Sequence, residues 1–338
     1  MGERKAGVSG PDSGRSEATG IAVVGYGNAG RQHVDALAGA AGAYAAAVVE
    51  TDPAAASRAR GAGLTVRALD EVLADDAVRA LALCLPPGAR TDIARAAVAA
   101  GKHLLLEKPP ARTAEELAGL LSLADDGEVL AAVMFQHRFA LPEPLRAIEP
   151  ERFAGAVASL TVSRARPDAH YRQAGWRSDP RHALGGVTAH LGVHYLDLAC
   201  QLLGTPRAVT PLSRTDAAPG IDTQLCGHIA FESGAQLSVA ITSRSVARAE
   251  QLTVLGADAW LEVRSGAVTG EIDGRPIEGR TRPASVLRTE VYQEFSGAVA
   301  GRTALGLAAL SRSRGVVEAL DGLLSGHAPA ARTAGAAR

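Results

Sequence analysis

The chain has 338 residues, 47% of them hydrophobic and 21% charged, with a formal net charge of −1. That length is a little over twice the usual ~150 residues per domain, so two cores are expected. The near-neutral balance and scattered arginines exclude a general electrostatic attraction to nucleic acid.

Residues 1–19 are rich in Gly, Ser and charge, lack the apolar stretch of a secretory signal, and read as a disordered leader. The domain expected next, 20–140, begins with the continuous apolar run Ile21–Gly25, as for a buried parallel strand. A helix is expected from Gly30 to Gly39, a second strand over Ala45–Val49 and a third over Leu81–Leu85. Then come a helix over Thr91–Ala100, a strand over His103–Leu106, a helix over Thr113–Ala124 and a strand over Val129–Phe135. Thr113 and Glu116 have the spacing of a capping box. Strands alternating with helices imply a mostly parallel sheet covered on both faces.

The texture changes after Phe139, where Pro142, Pro144 and Pro150 interrupt it. Strands are expected over Ala156–Ser163, Leu225–Phe231, Ala235–Thr242, Gln251–Leu255 and Trp260–Val263, which suggests a large, mostly antiparallel open sheet. A helix over Thr188–Leu203 interrupts them and stops at Gly204-Thr205-Pro206. Helices over Ser285–Ala300 and Ala304–Leu324 close the chain. The expected fold class is α/β: a Rossmann domain, an α+β domain over 141–302, a C-terminal helix over 303–325 and a frayed tail over 326–338. No segment approaches the ~20 apolar residues that cross a bilayer. Cys84, Cys200 and Cys226 are too scattered for a metal site, and a reduced cytoplasmic setting is expected.

Three stretches carry chemistry. Gly25-Tyr26-Gly27-Asn28-Ala29-Gly30 matches G-x-G-x-x-G between a strand and a helix, where backbone N–H groups and the helix dipole suit a pyrophosphate. Asp52, after the second strand, suits the adenosine ribose and favours NAD over NADP; it also suits a helix N-cap, and Glu50 is a rival for the ribose. Glu107-Lys108-Pro109-Pro110 sits at the carboxyl end of a parallel strand. Lys108 is one of only three lysines among 35 basic residues, so a compact, titratable ammonium is wanted there, unless it is a surface ion pair with Glu107. His190, His194 and Asp197 share a helix face at spacings of four and three. The two histidines read as a general base with its neighbour, as satisfied core groups or as metal ligands, for which no nearby cysteine or carboxylate completes a set, and Asp197 reads equally as a structural anchor. Gly185-Gly186 would let the start of that helix approach a ligand.

Together the GYGNAG loop, AAGKHLLLEKPPA, FQHRFALP and GGVTAHLGVHYLDLACQLLG resemble the glucose–fructose oxidoreductase / inositol dehydrogenase / rhizopine catabolism (Gfo/Idh/MocA) family, over about 21–324. The resemblance implies NAD held by Gly25, Gly27, Asn28, Ala29, Asp52, Leu85, Pro86, Glu107, Lys108 and Gln136. It implies that Lys108 holds the reacting hydroxyl and that His194 is the acid/base, with His190 where relatives often have aspartate. Arg90 stands where a histidine is common and is read as a phosphate contact or an exposed helix residue; Gln136 replaces an asparagine. Trp176, Arg177 and Tyr292, with Lys108 and the two histidines, are implied for the substrate. The expected activity is reversible oxidation of a secondary hydroxyl of a sugar, sugar nucleotide or cyclitol by a homodimer or homotetramer. A C3 product for a partner aminotransferase in antibiotic biosynthesis suits the Ala- and Arg-rich composition. An NAD-dependent glycosidase and a non-catalytic sugar sensor are the alternatives. No metal is expected.

Overall fold

A computed structural model of the protein describes residues 18–172 and 184–325. Nearly all of the expected leader, the tail over 326–338, and Trp176 and Arg177 lie outside the described residues.

The first half runs β1 (Thr19–Val24), α1 (Asn28–Ala38), β2 (Ala43–Val49), α2 (Pro53–Gly61), α3 (Leu69–Leu73), β3 (Val78–Leu83), α4 (Thr91–Ala99), β4 (His103–Leu106), α5 (Ala114–Asp126) and β5 (Ala131–Val133). The five strands form one parallel sheet in the order β2-β1-β3-β4-β5. Both faces are covered, which is why these strands are continuous apolar runs and β1 is buried throughout. The chain leaves β1 towards one edge and returns at β3 towards the other. The carboxyl ends of β1 and β3 therefore flank a crevice, the usual ligand position in an open α/β sheet.

The second half adds α6 (Glu143–Arg146), β6 (Val157–Ser163), α7 (Asp168–Arg172), α8 (Val193–Leu203), β7 (Pro206–Ala218), β8 (Ile221–Phe231), β9 (Gln236–Thr242), β10 (Ala249–Leu255), β11 (Ala259–Arg264), β12 (Ala267–Ile272), β13 (Arg275–Gly279), α9 (Ala284–Val299) and α10 (Arg314–Ser325). Its eight strands follow the order β13-β12-β11-β10-β6-β9-β8-β7. All neighbours are antiparallel except β6 and β9. Leu160, Val162, Val239, Ile241, Leu252 and Leu261 face inwards and share a core with Leu196 and Leu203 of α8. The opposite face is open, leaving Val157, Leu255 and Trp260 exposed at 63%, 54% and 43%.

The structure departs from the sequence-based expectations in four places. β7, β12 and β13 are additional strands. The expected helix over Ala304–Leu324 is shorter: a 3-10 turn at Leu310–Ser313 precedes α10. The expected helix over Thr188–Leu203 opens with a π turn, Thr188–Gly192, before α8. α9 falls inside the expected 141–302 domain, yet Leu287, Val291 and Phe295 pack with Ile21, Val23, Ala80 and Leu105 and cover one face of the first sheet.

Candidate active site

A cleft of about 670 Å³ opens between the two halves at the carboxyl ends of β1, β3 and β4. Its first wall includes Gly27, Asn28, Ala29, Leu85, Pro86, Glu107, Lys108 and Gln136; its second includes His190, His194 and Tyr195. The loop after β1 is built for a close ligand. Gly25 has φ +91, and a Cβ there would lie 2.9 Å from the Cys84 carbonyl oxygen. A Cβ on Gly30 would stand 1.9 Å from the Gly25 oxygen, so only glycine lets α1 begin against the strand. A Cβ on Gly27 would meet nothing within 4 Å, which leaves open space over the α1 N-terminus. A dinucleotide pyrophosphate fits this cradle.

After β2 two acids divide their work. Asp52 accepts from Ala55 N at 2.7 Å and caps α2, so part of its carboxylate is spent on the helix. Glu50 ties strand to loop, accepting from Tyr26 N at 2.7 Å, Thr51 N at 2.7 Å and Asp52 N at 2.9 Å. The carboxylate against the glycine loop is thus Glu50.

Lys108 is held by its neighbours on both sides. Arg90 donates from Nε to the Leu85 oxygen at 2.7 Å, and from Nη1 to the Glu107 oxygen at 2.6 Å and the Pro109 oxygen at 2.5 Å. It is 3% exposed and keeps its charge, although burial lowers its pKa to about 10. Both expectations for Arg90 are corrected: it is neither an exposed helix residue nor a phosphate contact, but a clip on the backbone around Lys108. The Lys108–Pro109 peptide is cis.

Glu107 is pinned from below, accepting from Lys108 N at 3.0 Å and from His33 Nε2 at 2.9 Å. Burial pushes its pKa up, but the His33 bond and the charges of His33, Lys108 and Arg90 outweigh that and bring it to about 2. On its other side, His33 Nδ1 lies 2.6 Å from the Tyr292 hydroxyl. Tyr292 is 0% exposed and lies behind the cleft wall, so its expected place in the substrate pocket is corrected. Its hydroxyl is occupied by His33 inside the core that α9 shares with the first sheet.

The Lys108 Nζ reaches across the cleft and donates to the His190 carbonyl oxygen at 3.0 Å. His190 lies in the π turn and His194 in α8, and both line the cleft. The expected shared face stops there. Asp197 is fully buried and takes Arg138 Nη2 at 2.6 Å and Nε at 2.8 Å. Arg138 also donates to the Leu307 oxygen at 2.8 Å and to Ser313 Oγ at 3.2 Å. This pair ties α8 to the turn that carries Gln136 and His137. The helix start is fixed by Asp222, whose carboxylate accepts from Gly186 N at 2.5 Å and from Thr188 N at 3.0 Å and Oγ1 at 2.7 Å. The close approach expected of Gly186 to a ligand is also corrected. A Cβ there would lie 2.0 Å from the Asp222 oxygen, so the glycine serves the contact with β8.

His194 has its Nδ1 sealed from solvent and without a partner. Burial, then the nearby His137 and the charges of Lys108, Arg288 and Arg164, hold its pKa well below 6.5. The His137 ring lies 4.3 Å from it, tilted by 31°, and burial takes His137 down to about 4. Sequence reasoning missed His137, although it stands in the FQHRF run. Gln136 Oε1 is a second sealed acceptor without a partner on the cleft wall. Among the described residues, no group of three His, Cys, Asp or Glu side chains could hold a metal ion.

Residues 19–135 match the family model for the oxidoreductase family with an NAD-binding Rossmann fold, and residues 146–262 match the GFO/IDH/MocA C-terminal domain. The sequence is 30% identical, over 272 residues, to D-xylose 1-dehydrogenase (NADP(+)) 2 of Haloferax volcanii, covering 75% of this chain and 81% of that one. The WlbA dehydrogenase of Bordetella pertussis, solved with NADH and UDP-GlcNAcA, superposes with a TM-score of 0.76 at 22% identity over 91% of this chain and 94% of that one. The UDP-N-acetylglucosamine 3-dehydrogenase of Acidithiobacillus ferrooxidans gives a TM-score of 0.74 at 21% identity over 91% and 97%. At these identities the structural likeness speaks to the fold.

Proposed function

Because the chain belongs to the Gfo/Idh/MocA family of NAD(P)-dependent oxidoreductases acting on sugar CH–OH groups, we propose that its cleft reversibly oxidises a secondary hydroxyl of a sugar, sugar nucleotide or cyclitol to a ketone. The observation that carries this reading is the convergence of Lys108 Nζ on the His190 carbonyl, at 3.0 Å, one turn before the neutral His194. A bound NAD(P) would supply the hydride acceptor. Gly27, Asn28 and Ala29 hold its pyrophosphate, with Leu85, Pro86 and Gln136 along its path. Lys108 donates to the reacting oxygen and stabilises negative charge as it develops there. His194 takes the hydroxyl proton. The His190 imidazole is stacked on Tyr171, ring centroids 6.2 Å apart, on the cleft wall that a neighbouring hydroxyl would meet.

The test monitors nicotinamide absorbance with the purified protein over a panel of free sugars, cyclitols, sugar phosphates and sugar nucleotides, with product NMR to locate the ketone. Net NADH formation is expected; no turnover with any member would overturn the reading. Oxidation at C3, as named for the Acidithiobacillus relative, would deliver the keto group that an aminotransferase consumes.

The pH profile is set by the sign of the His194 shift. A base works only when unprotonated, and this one has a pKa pushed well below 6.5. In the oxidative direction kcat/KM should therefore rise with pH through a limb lying below 6.5 and be flat at that limb's upper end by pH 7. An acid limb at or above 6.5 would show that another group titrates.

Glu50 supports NAD over NADP, since a carboxylate against the glycine loop accepts from ribose hydroxyls and repels a 2′-phosphate. Glu50→Ala is expected to raise the NADP-to-NAD ratio of kcat/KM by roughly ten- to hundredfold. An unchanged ratio would remove Glu50 from cofactor choice. The open sheet face, where Leu255 stands opposite both Val157 and Trp260, supports a homodimer or homotetramer. Among the described residues no helix is long and apolar enough to cross a membrane.

A further inference from the structure

The second wall of the cleft holds more positive charge than its own carboxylate answers. Arg164 and Arg166 come just after β6, Arg248 precedes β10, and all three line the cleft beside one acid, Glu250. Glu250 pairs with Arg164 Nη2 and, at 3.3 Å, with Arg248 Nη2. Arg164 nevertheless keeps its Nε sealed from solvent with no acceptor. Arg166 is half-buried, and its guanidinium has no hydrogen-bond or ion-pair partner among the described residues. A buried N–H on a charged group is costly to leave unmade, and guanidinium forks match phosphate and carboxylate geometry.

Of the other cationic groups of the cleft, Arg288 on α9 also keeps an Nε without a partner among the described residues, while two more are already engaged. Arg90 is spent on carbonyl oxygens, and Arg282 is paired with Glu290. The two anionic ends of the dinucleotide do not account for the surplus either. The pyrophosphate is met at the α1 N-terminus on the opposite wall, and a 2′-phosphate would fall among the carboxylates of Glu50 and Asp52.

We infer that Arg164, Arg166 and Arg248 form an oxyanion subsite for the substrate, so that the sugar oxidised here carries a phosphate or a carboxylate. The inference rests on the dehydrogenase reading of the same cleft and narrows its substrate class. Arg164, tied to Glu250 through its outer nitrogen, adds its charge from behind the oxyanion. Arg166 and Arg248 close on it from solvent.

The test is calorimetric titration of the NADH-loaded protein with UDP, glucose 1-phosphate and glucuronate, against glucose and myo-inositol. At least one charged probe should bind more tightly than the neutral ones, with affinity falling as salt rises. Binding confined to glucuronate identifies a carboxylate, and binding of UDP or glucose 1-phosphate a phosphate. Arg166→Ala and Arg248→Ala, neither of which strips a partner from a fully buried group, should each weaken that binding roughly ten- to hundredfold and leave NADH affinity unchanged. Equal affinity for charged and neutral probes, or no response to either substitution, overturns the subsite. The two readings fail separately. Charged-probe binding without turnover of any sugar removes the dehydrogenase and keeps the subsite. Turnover of a neutral sugar, indifferent to Arg166→Ala, does the reverse.

Discussion

Lys108→Ala is expected to lower kcat for sugar oxidation by about 10²–10³-fold, the usual loss when one preorganised donor to a developing oxyanion is removed. The effect should fall on kcat rather than on cofactor affinity, because Arg90 and Glu107 hold the loop through its backbone and through Lys108 N, which survive the substitution. Lys108→Arg should not restore the rate. A planar fork is larger than an ammonium, and Nζ sits between the Glu107 loop and the His190 carbonyl at 3.0 Å. Steady-state kinetics with an NADH-fluorescence titration separates the two parameters. Turnover near the native rate in Lys108→Ala would end the assignment.

The largest effect on stability is expected at Asp197. With both members at 0% exposure, removing the carboxylate leaves the Arg138 guanidinium buried and uncompensated, at a cost of about 3–5 kcal/mol. A total stability of about 5–15 kcal/mol makes that a large share. Burial lifts the Asp197 pKa even though Arg138 pulls it down, so the pair only partly offsets its own desolvation. Replacing both members with apolar residues, Arg138→Met with Asp197→Leu, should therefore be better tolerated than Asp197→Ala alone. Urea denaturation of the single and double variants decides this. A single variant within 1 kcal/mol of the native protein, by the ~1 kcal/mol typical of ordinary substitutions, would show that the pair is not a keystone.

The parallel sheet was legible because both of its faces are covered, which leaves runs such as Ile21–Val24 and Leu81–Leu83 uninterrupted by polar residues. The glycine loop was legible because each of its glycines answers a separate steric demand. β7 was not: Pro206–Ala218 lies at a sheet edge with only Pro206 and Val209 buried, and its Arg, Thr, Ser and Asp residues carry no apolar period. β12 and β13, rich in Gly and charge, failed for the same reason. The π turn at Thr188–Gly192 hides behind helical spacing, since a π turn keeps an apolar stripe while rotating the helix beyond it. Asp197 lies three residues beyond His194 in the regular α8, and its carboxylate is taken by Arg138 in the core.

The site was half legible. Lys108 stood out as a lysine in an arginine-rich chain, and His194 by its helix spacing. Arg164, Arg166, Arg248 and Glu250 carry no local motif and meet only because the two sheets fold against one cleft. Tyr292 misled, since nothing in α9 tells which sheet it will cover.

The late position of α9 in the chain bears on how the protein is made. The layer holding Ile21, Val23 and Leu105 is sealed by Leu287, Val291 and Phe295, so it stays open to water until the end of α9 has left the ribosome. At ~5–20 residues per second, the stretch from β5 to α9 keeps the nascent first sheet waiting on the order of ten seconds with an oily face bare. A gene split after β5 would release an amino-terminal fragment that aggregates unless residues 284–299 are supplied in trans.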